Sequence, residues 1–117
     1  MLEALYNQSG DVYAWLDMSR RDIVDRRGKP LAFIDGDSVY NQQGRHIGWW
    51  QNWHIRDGSG AVVLFTKLAT SLGVARPAEA TRPAQPVIVI APPPHRTPGF
   101  RPLRPPAAST WSTSVPF

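Results

Sequence analysis

Three kinds of side chain in this sequence are able to do chemistry, and their spacing limits each of them. The histidines come first. His46 and His54 stand eight apart and His95 is remote from both, so neither a His-x-His nor a His-x-x-x-His arrangement exists. The chain has no cysteine, which removes thiolate ligands and disulfides together, and no zinc-type ligand set remains. Among the carboxylates, Asp35-Gly36-Asp37 starts like a calcium loop but lacks the further ligands and the distal glutamate that such a loop needs. Ser59, in Gly58-Ser59-Gly60, lacks the flanking pattern of a nucleophile elbow. No pairing of acid, base and nucleophile emerges, so the expectation is a non-enzymatic protein with no catalytic residue, no metal and no cofactor.

The aromatic residues say more. Trp50 and Trp53 follow closely on Trp49, and Trp50 is expected to project to the opposite strand face from Trp49. With Tyr6, Tyr40 and His46 they make a candidate binding surface, able to stack on sugar rings or anchor a protein partner. Charge adds a limit. The net charge is +4 and the pI about 10.1, which invites a nucleic-acid partner. Up to Lys67, however, eight basic residues face eight acidic ones, and beyond it five arginines face Glu79 alone. The excess charge therefore belongs wholly to a tail in which arginines alternate with prolines, and nucleic acid is an unlikely partner.

The elements that must position these groups follow from a repeat. Gly10, Gly28, Gly44 and Gly60 are separated by 18, 16 and 16 residues. Three residues before each stands Asn7, Asp25, Asn41 or Asp57, and five before each stands Leu5, Ile23, Val39 or Ile55. Three after come Tyr13, Leu31, Ile47 and Val63; four after come Ala14, Ala32, Gly48 and Leu64; five after come Trp15, Phe33, Trp49 and Phe65. An Asn or Asp accepts a hydrogen bond from the backbone two residues on and starts a turn, and glycine three later supplies the positive φ that ends a type I turn with a G1 bulge. Each unit is thus a hairpin, and Asp25 and Asp57 are explained by turn geometry. The first connection, Asp17 to Arg21, is two residues longer, which accounts for the spacing of 18. One hairpin is not stable alone, so the four must share a core. The repeated aromatic is its expected filling, with the residue two before it on the same face and the small residue between pointing where another backbone comes close. His46 stands where the other units have Val12, Pro30 and Val62. The fold class expected is all-β: four repeated β-hairpins, eight short strands, around a pseudo-fourfold axis.

Val39-Tyr40-Asn41-Gln42-Gln43-Gly44, continuing Arg45-His46-Ile47-Gly48-Trp49, and the linking Ile34-Asp35-Gly36-Asp37-Ser38 resemble the units of the bacterial 4-fold β-flower domain family. The resemblance covers residues 5–66. It implies the four-hairpin fold and brings no established activity. The Tyr-Asp repeats of toxin shells and choline-binding repeats share letters with these units but match less well.

The chain divides into a repeat domain at 1–67, a short helical turn and linker at 68–75, centred on Leu68–Leu72 and stopped by Gly73, and a Pro/Arg-rich extended tail at 76–117. Of the 12 prolines, 11 lie after Ala75, which favours polyproline II there. Val87, Ile88, Val89 and Ile90 are suited to adding a strand to a sheet edge, and Trp111 and Phe117 to anchoring the tail. The expected role is a structural or protein-interaction module whose tail serves assembly, including homo-oligomers, or partner binding; a small carbohydrate- or cell-wall-binding domain is the alternative. The N-terminus does not read as a signal peptide and no apolar run spans a bilayer, which points to the cytoplasm and leaves signal-independent export open.

Overall fold

The computed structural model describes residues 2–79 and 97–117. Val87 to Ile90 and His95 lie outside the described residues. Eight strands run in chain order: β1 (Leu2–Tyr6), β2 (Val12–Asp17), β3 (Asp22–Val24), β4 (Pro30–Asp35), β5 (Ser38–Asn41), β6 (His46–Gln51), β7 (His54–Asp57) and β8 (Val62–Phe65). Each pairs antiparallel with its sequence neighbours, and β1 meets β8 through Tyr6 and Phe65 to close a barrel. Each hairpin thus occupies one quarter of the wall, and no helix occurs among the described residues.

The hairpin tips follow the turn chemistry written in the repeat. In the third unit, Asn41 Oδ1 accepts from the N–H groups of Gln43 and Arg45 at 3.0 and 2.9 Å, and Gly44 N–H donates to the Asn41 carbonyl at 3.0 Å. Asn7, Asp25 and Asp57 repeat this pattern. The links between units differ. Gly36, at φ 63°, takes the first central position of a two-residue turn, where a primed turn needs positive φ. Asn52 and Trp53 both have positive φ, 47° and 64°, a conformation that costs a bulky residue strain.

Side-chain direction corrects one expectation. The lumen holds a cluster of Leu5, Ala14, Leu16, Ile23, Ala32, Ile34, Val39, Ile55, Val63 and Leu64, with Trp50 packed against it. The aromatics Trp15 and Phe65 belong to a second cluster on the outer face, with Tyr6, Val12 and Val62. The repeated aromatic is therefore buried, but outside the barrel. An eight-stranded barrel is just wide enough for its own side chains, and aliphatic and small residues already fill it. Gly48 shows why this position stays small, because a Cβ there would run into the Arg56 carbonyl. Leu64 is the opposite departure, a large residue at the same position of the repeat, fully buried in the inner cluster. The residue two before the aromatic also fails to share its face. Every hairpin shifts register after the Leu5, Ile23, Val39 or Ile55 position, and this bulge turns Leu31, Ile47 and Val63 toward the inner cluster.

The helical turn expected at Leu68–Leu72 is absent. Thr70 N–H donates to the Asn52 carbonyl and Ala69 N–H to that of Thr66, both at 3.0 Å, while Ser71 sits at φ 56°. Of the backbone groups that a helix would pair internally, the Thr70 N–H is tied to the Asn52–Trp53 turn and the Ser71 and Leu72 carbonyls to a buried side chain of β7.

Candidate functional site

The outer face of the barrel is built by one rule. The repeated aromatic of each unit lies across the ladder from the residue four before the glycine of the next unit. Phe33 faces Tyr40, Phe65 faces Tyr6, Trp15 faces Val24 and Trp49 faces Arg56. The first two pairs stack, with ring centroids 5.4 and 5.5 Å apart, as offset aromatic pairs prefer. The described tail covers part of this belt. Arg76 lies over the Phe65 ring at 5.1 Å, and Arg101 and Arg104 lie over Trp49 at 5.3 and 5.8 Å, within cation–π reach. Arg101 and Arg104 also pair with Asp37 at 2.7 and 3.2 Å, and Arg76 with Glu79 at 3.0 Å. Every described tail arginine is thus engaged on its own chain.

The described tail residues meet three of the hairpin tips in unit order. The Ala78 carbonyl abuts Gly10, that of Thr97 abuts Gly44, and that of Pro106 abuts Gly60. Gly99 N–H donates to the Gly44 carbonyl at 2.7 Å and Ala108 N–H to that of Gly60 at 3.0 Å. Trp111 then forms a parallel bridge with Val62 and packs edge-on against Phe65 at 6.0 Å, covering the narrow seam where β8 meets β1. Phe117 ends on Tyr13, whose hydroxyl donates to the Phe117 carbonyl at 2.8 Å. Trp111 and Phe117 therefore hold the tail to its own barrel.

Arg56 is the hub of this arrangement, and the sequence reading missed it. It is 2% exposed, yet all five of its N–H donors are used. Nε donates to His54 Nε2 at 3.1 Å; Nη1 donates to the carbonyls of Gly60 and Ala108, both at 2.7 Å; Nη2 donates to those of Ser71 and Leu72 at 3.3 and 2.7 Å. Burial, and then Arg104, lower its pKa. One side chain ties together the fourth hairpin, the segment after β8 and the returning tail. The signal was available: Arg56 occupies the position held by Tyr6, Val24 and Tyr40 in the other units.

The expected binding surface divides. Tyr6 and Tyr40 are 2% and 3% exposed and lie within the outer belt, so the expectation that they offer free faces is corrected. Each occupies a ladder position in this belt, stacked on Phe65 or Phe33. His46 sits in the same layer, its ring 5.2 Å from Tyr40 and 4.5 Å from Trp49, and burial, then Arg101, lower its pKa against an opposing pull from Asp37. Trp50 and Trp53 come together edge to face at 5.9 Å. Both are half-buried, and Trp50 packs against the lumen cluster. The most exposed large apolar side chains among the described residues are on the tail itself: Phe100 and Leu103 are 87% and 96% exposed.

No curated protein and no solved structure matches the chain. A family described as 4-fold beta flower protein matches residues 3–115, and so takes in the described tail as well as the repeats. A closed barrel of four hairpins, matched over nearly its whole length, places this chain in the 4-fold beta flower family.

Proposed function

We propose that the protein is a non-enzymatic structural or protein-interaction module whose tail both completes the barrel and presents its contact surface. The observation that carries this reading is the periodicity of residues 100–104. Arg101 and Arg104 turn inward onto Asp37 and Trp49, while Phe100 and Leu103 stand outside. A three-residue period is that of polyproline II, which the neighbouring Pro102 and Pro105 favour. The arginines pin the segment, so the two large apolar side chains are displayed at little further cost in order, a general requirement of a contact patch.

Several of the groups that a catalytic reading would draw on have structural employment. Asp25 and Asp57 hold turns, Asp37 holds two arginines, and His54 holds Arg56. Of the aromatic residues expected for a glycan-binding surface, Trp50 and Trp53 keep part of their faces exposed.

The test is a photo-crosslinking amino acid placed at position 100, 103 or 101 in cells of the source organism. Adducts with a protein, including a second copy of this chain, are expected from positions 100 and 103 in clear excess of those from 101, whose half-exposed side chain lies against Asp37 and Trp49. No adduct from either outward position ends the reading.

A further inference from the structure

The mouth of the barrel carries a cleft of about 540 Å³ lined by Tyr13, Asp25, Arg26, Arg27, Lys29, Leu31 and Phe117. That volume lies within the range of small-molecule sites. We infer that this cleft binds a small anion that carries a flat ring, the ring packing against Tyr13 and Phe117 and the anionic group meeting Arg26, Arg27 and Lys29.

Unit-to-unit comparison shows what is particular here. The tip of the second hairpin has Arg26, Arg27 and Lys29 where the first has Gln8, Ser9 and Asp11, the third Gln42, Gln43 and Arg45, and the fourth Gly58, Ser59 and Ala61. The turn requires only Asp25 and Gly28, so three cations exceed anything the fold demands. Arg26, Arg27 and Lys29 are exposed. Their charged groups make no ion pair or hydrogen bond among the described residues, in contrast to Arg56, Arg76, Arg101 and Arg104. Asp25 lines the same cleft with its Oδ1 held by the backbone N–H groups of Arg27 and Lys29 at 2.8 and 2.9 Å, so three side-chain cations stand beside this one side-chain carboxylate.

The apolar wall is particular as well. Tyr13 takes the position held by Leu31, Ile47 and Val63 elsewhere, and it is 37% exposed. Its ring meets Phe117 edge to face at 6.4 Å, and its hydroxyl fixes the Phe117 backbone. Leu31, packed against the lumen cluster, provides a firm apolar base. Free cations beside a fixed aromatic corner suit a ligand with charge at one end and a ring at the other. Such chemistry is shared by nucleotides and by aromatic carboxylates.

Calorimetric titration of the full chain separates these sources and tests the site. The probes are adenosine monophosphate, 4-hydroxybenzoate, inorganic phosphate and adenosine. At least one of the two ring-bearing anions is expected to bind tenfold or more tightly than phosphate or adenosine. The ligand that does so names the source. Arg27→Gln with Lys29→Gln is expected to weaken that binding at least tenfold, and Tyr13→Leu to weaken it while leaving phosphate binding unchanged. Both variants alter exposed or half-exposed positions, and an unchanged melting temperature confirms their folding. If neither ring-bearing anion binds, or if phosphate binds as well as they do, the inference is overturned. Binding that survives the double variant lies elsewhere and overturns it equally.

Discussion

Arg56 Nε donates to His54 Nε2 at 3.1 Å, while His54 Nδ1 faces the Asn52 carbonyl at 3.2 Å. The two contacts together fix the imidazole as neutral, with its proton on Nδ1, because Nε2 must accept. His54 is fully buried. Burial, against the pull of the Asn52 carbonyl and aided by Arg56 and Arg104, lowers its pKa from 6.5 to about 4. A histidine and an arginine two residues apart on β7 thus form a neutral-acceptor, charged-donor pair, and the arginine extends it to both segments that dock on the barrel.

The pair makes stability depend on pH in a defined direction. Below its ordinary pKa an exposed imidazole in the unfolded chain takes up a proton that the folded chain refuses. The unfolded state therefore binds more protons between pH 6.5 and about 4, and stability is full above that window and falls as pH falls through it. The shift corresponds to a loss of about 3 kcal/mol across the window. Urea unfolding at pH 7, 5.5 and 4 should show this decline, and His54→Gln should flatten it. An equally steep decline in the variant would assign the effect to other groups.

Replacing Arg56 tests the hub directly. Lysine keeps the charge but offers three donors from one point in place of five in a planar fork. Arg56→Lys leaves at least two of the five acceptors without their donor. Each buried group so left costs about 1–3 kcal/mol, so a loss of about 3 kcal/mol is expected, with Arg56→Met at least as severe. Limited proteolysis should then cut first near Ser71–Leu72 and near Ala108, whose carbonyls are released. A melting temperature and cleavage pattern like the wild type would refute the hub.

Glycine positions separate conformation from contact. Gly36 has φ 63° with nothing within 4 Å of an added Cβ, whereas Gly44 has φ 82° and an added Cβ would meet the Thr97 carbonyl. Gly36→Ala should cost about 1–2 kcal/mol, the ordinary penalty of a left-handed residue. Gly44→Ala carries the same penalty and must also lift the tail, so its cost by urea unfolding should be clearly larger. Protease sensitivity near Thr97 should rise only in the second variant. Equal costs would mean that the tail does not rest on this tip.

Much of the fold was legible because its signals are local. Asn41 and Gly44 specify a turn through bonds that span four residues, and the same letters at Asn7, Asp25 and Asp57 give four hairpins. Composition limited the chemistry, since a chain without cysteine and without clustered histidines offers no familiar ligand set. The face on which each side chain falls was not legible. It depends on one register shift per hairpin, and a single-residue shift moves a side chain from one face to the other. Tyr6 and Tyr40 read as free aromatics for the same reason: nothing local says that they fall on a buried outer face, stacked on Phe65 and Phe33.

The sequence by itself determined four hairpins, their tips, and a proline- and arginine-rich tail that differs from them in kind. Only the tertiary structure decided that the hairpins close into a barrel with aliphatic filling, that the aromatics form an outer belt, and that Arg101 and Arg104 are bound inward while Phe100 and Leu103 are displayed. The division has a physical cause. Turns and strand alternation are set by neighbours within a few residues, whereas the partners of Arg56 are contributed by Gly60, Ser71, Leu72 and Ala108, which meet only after the chain has closed on itself.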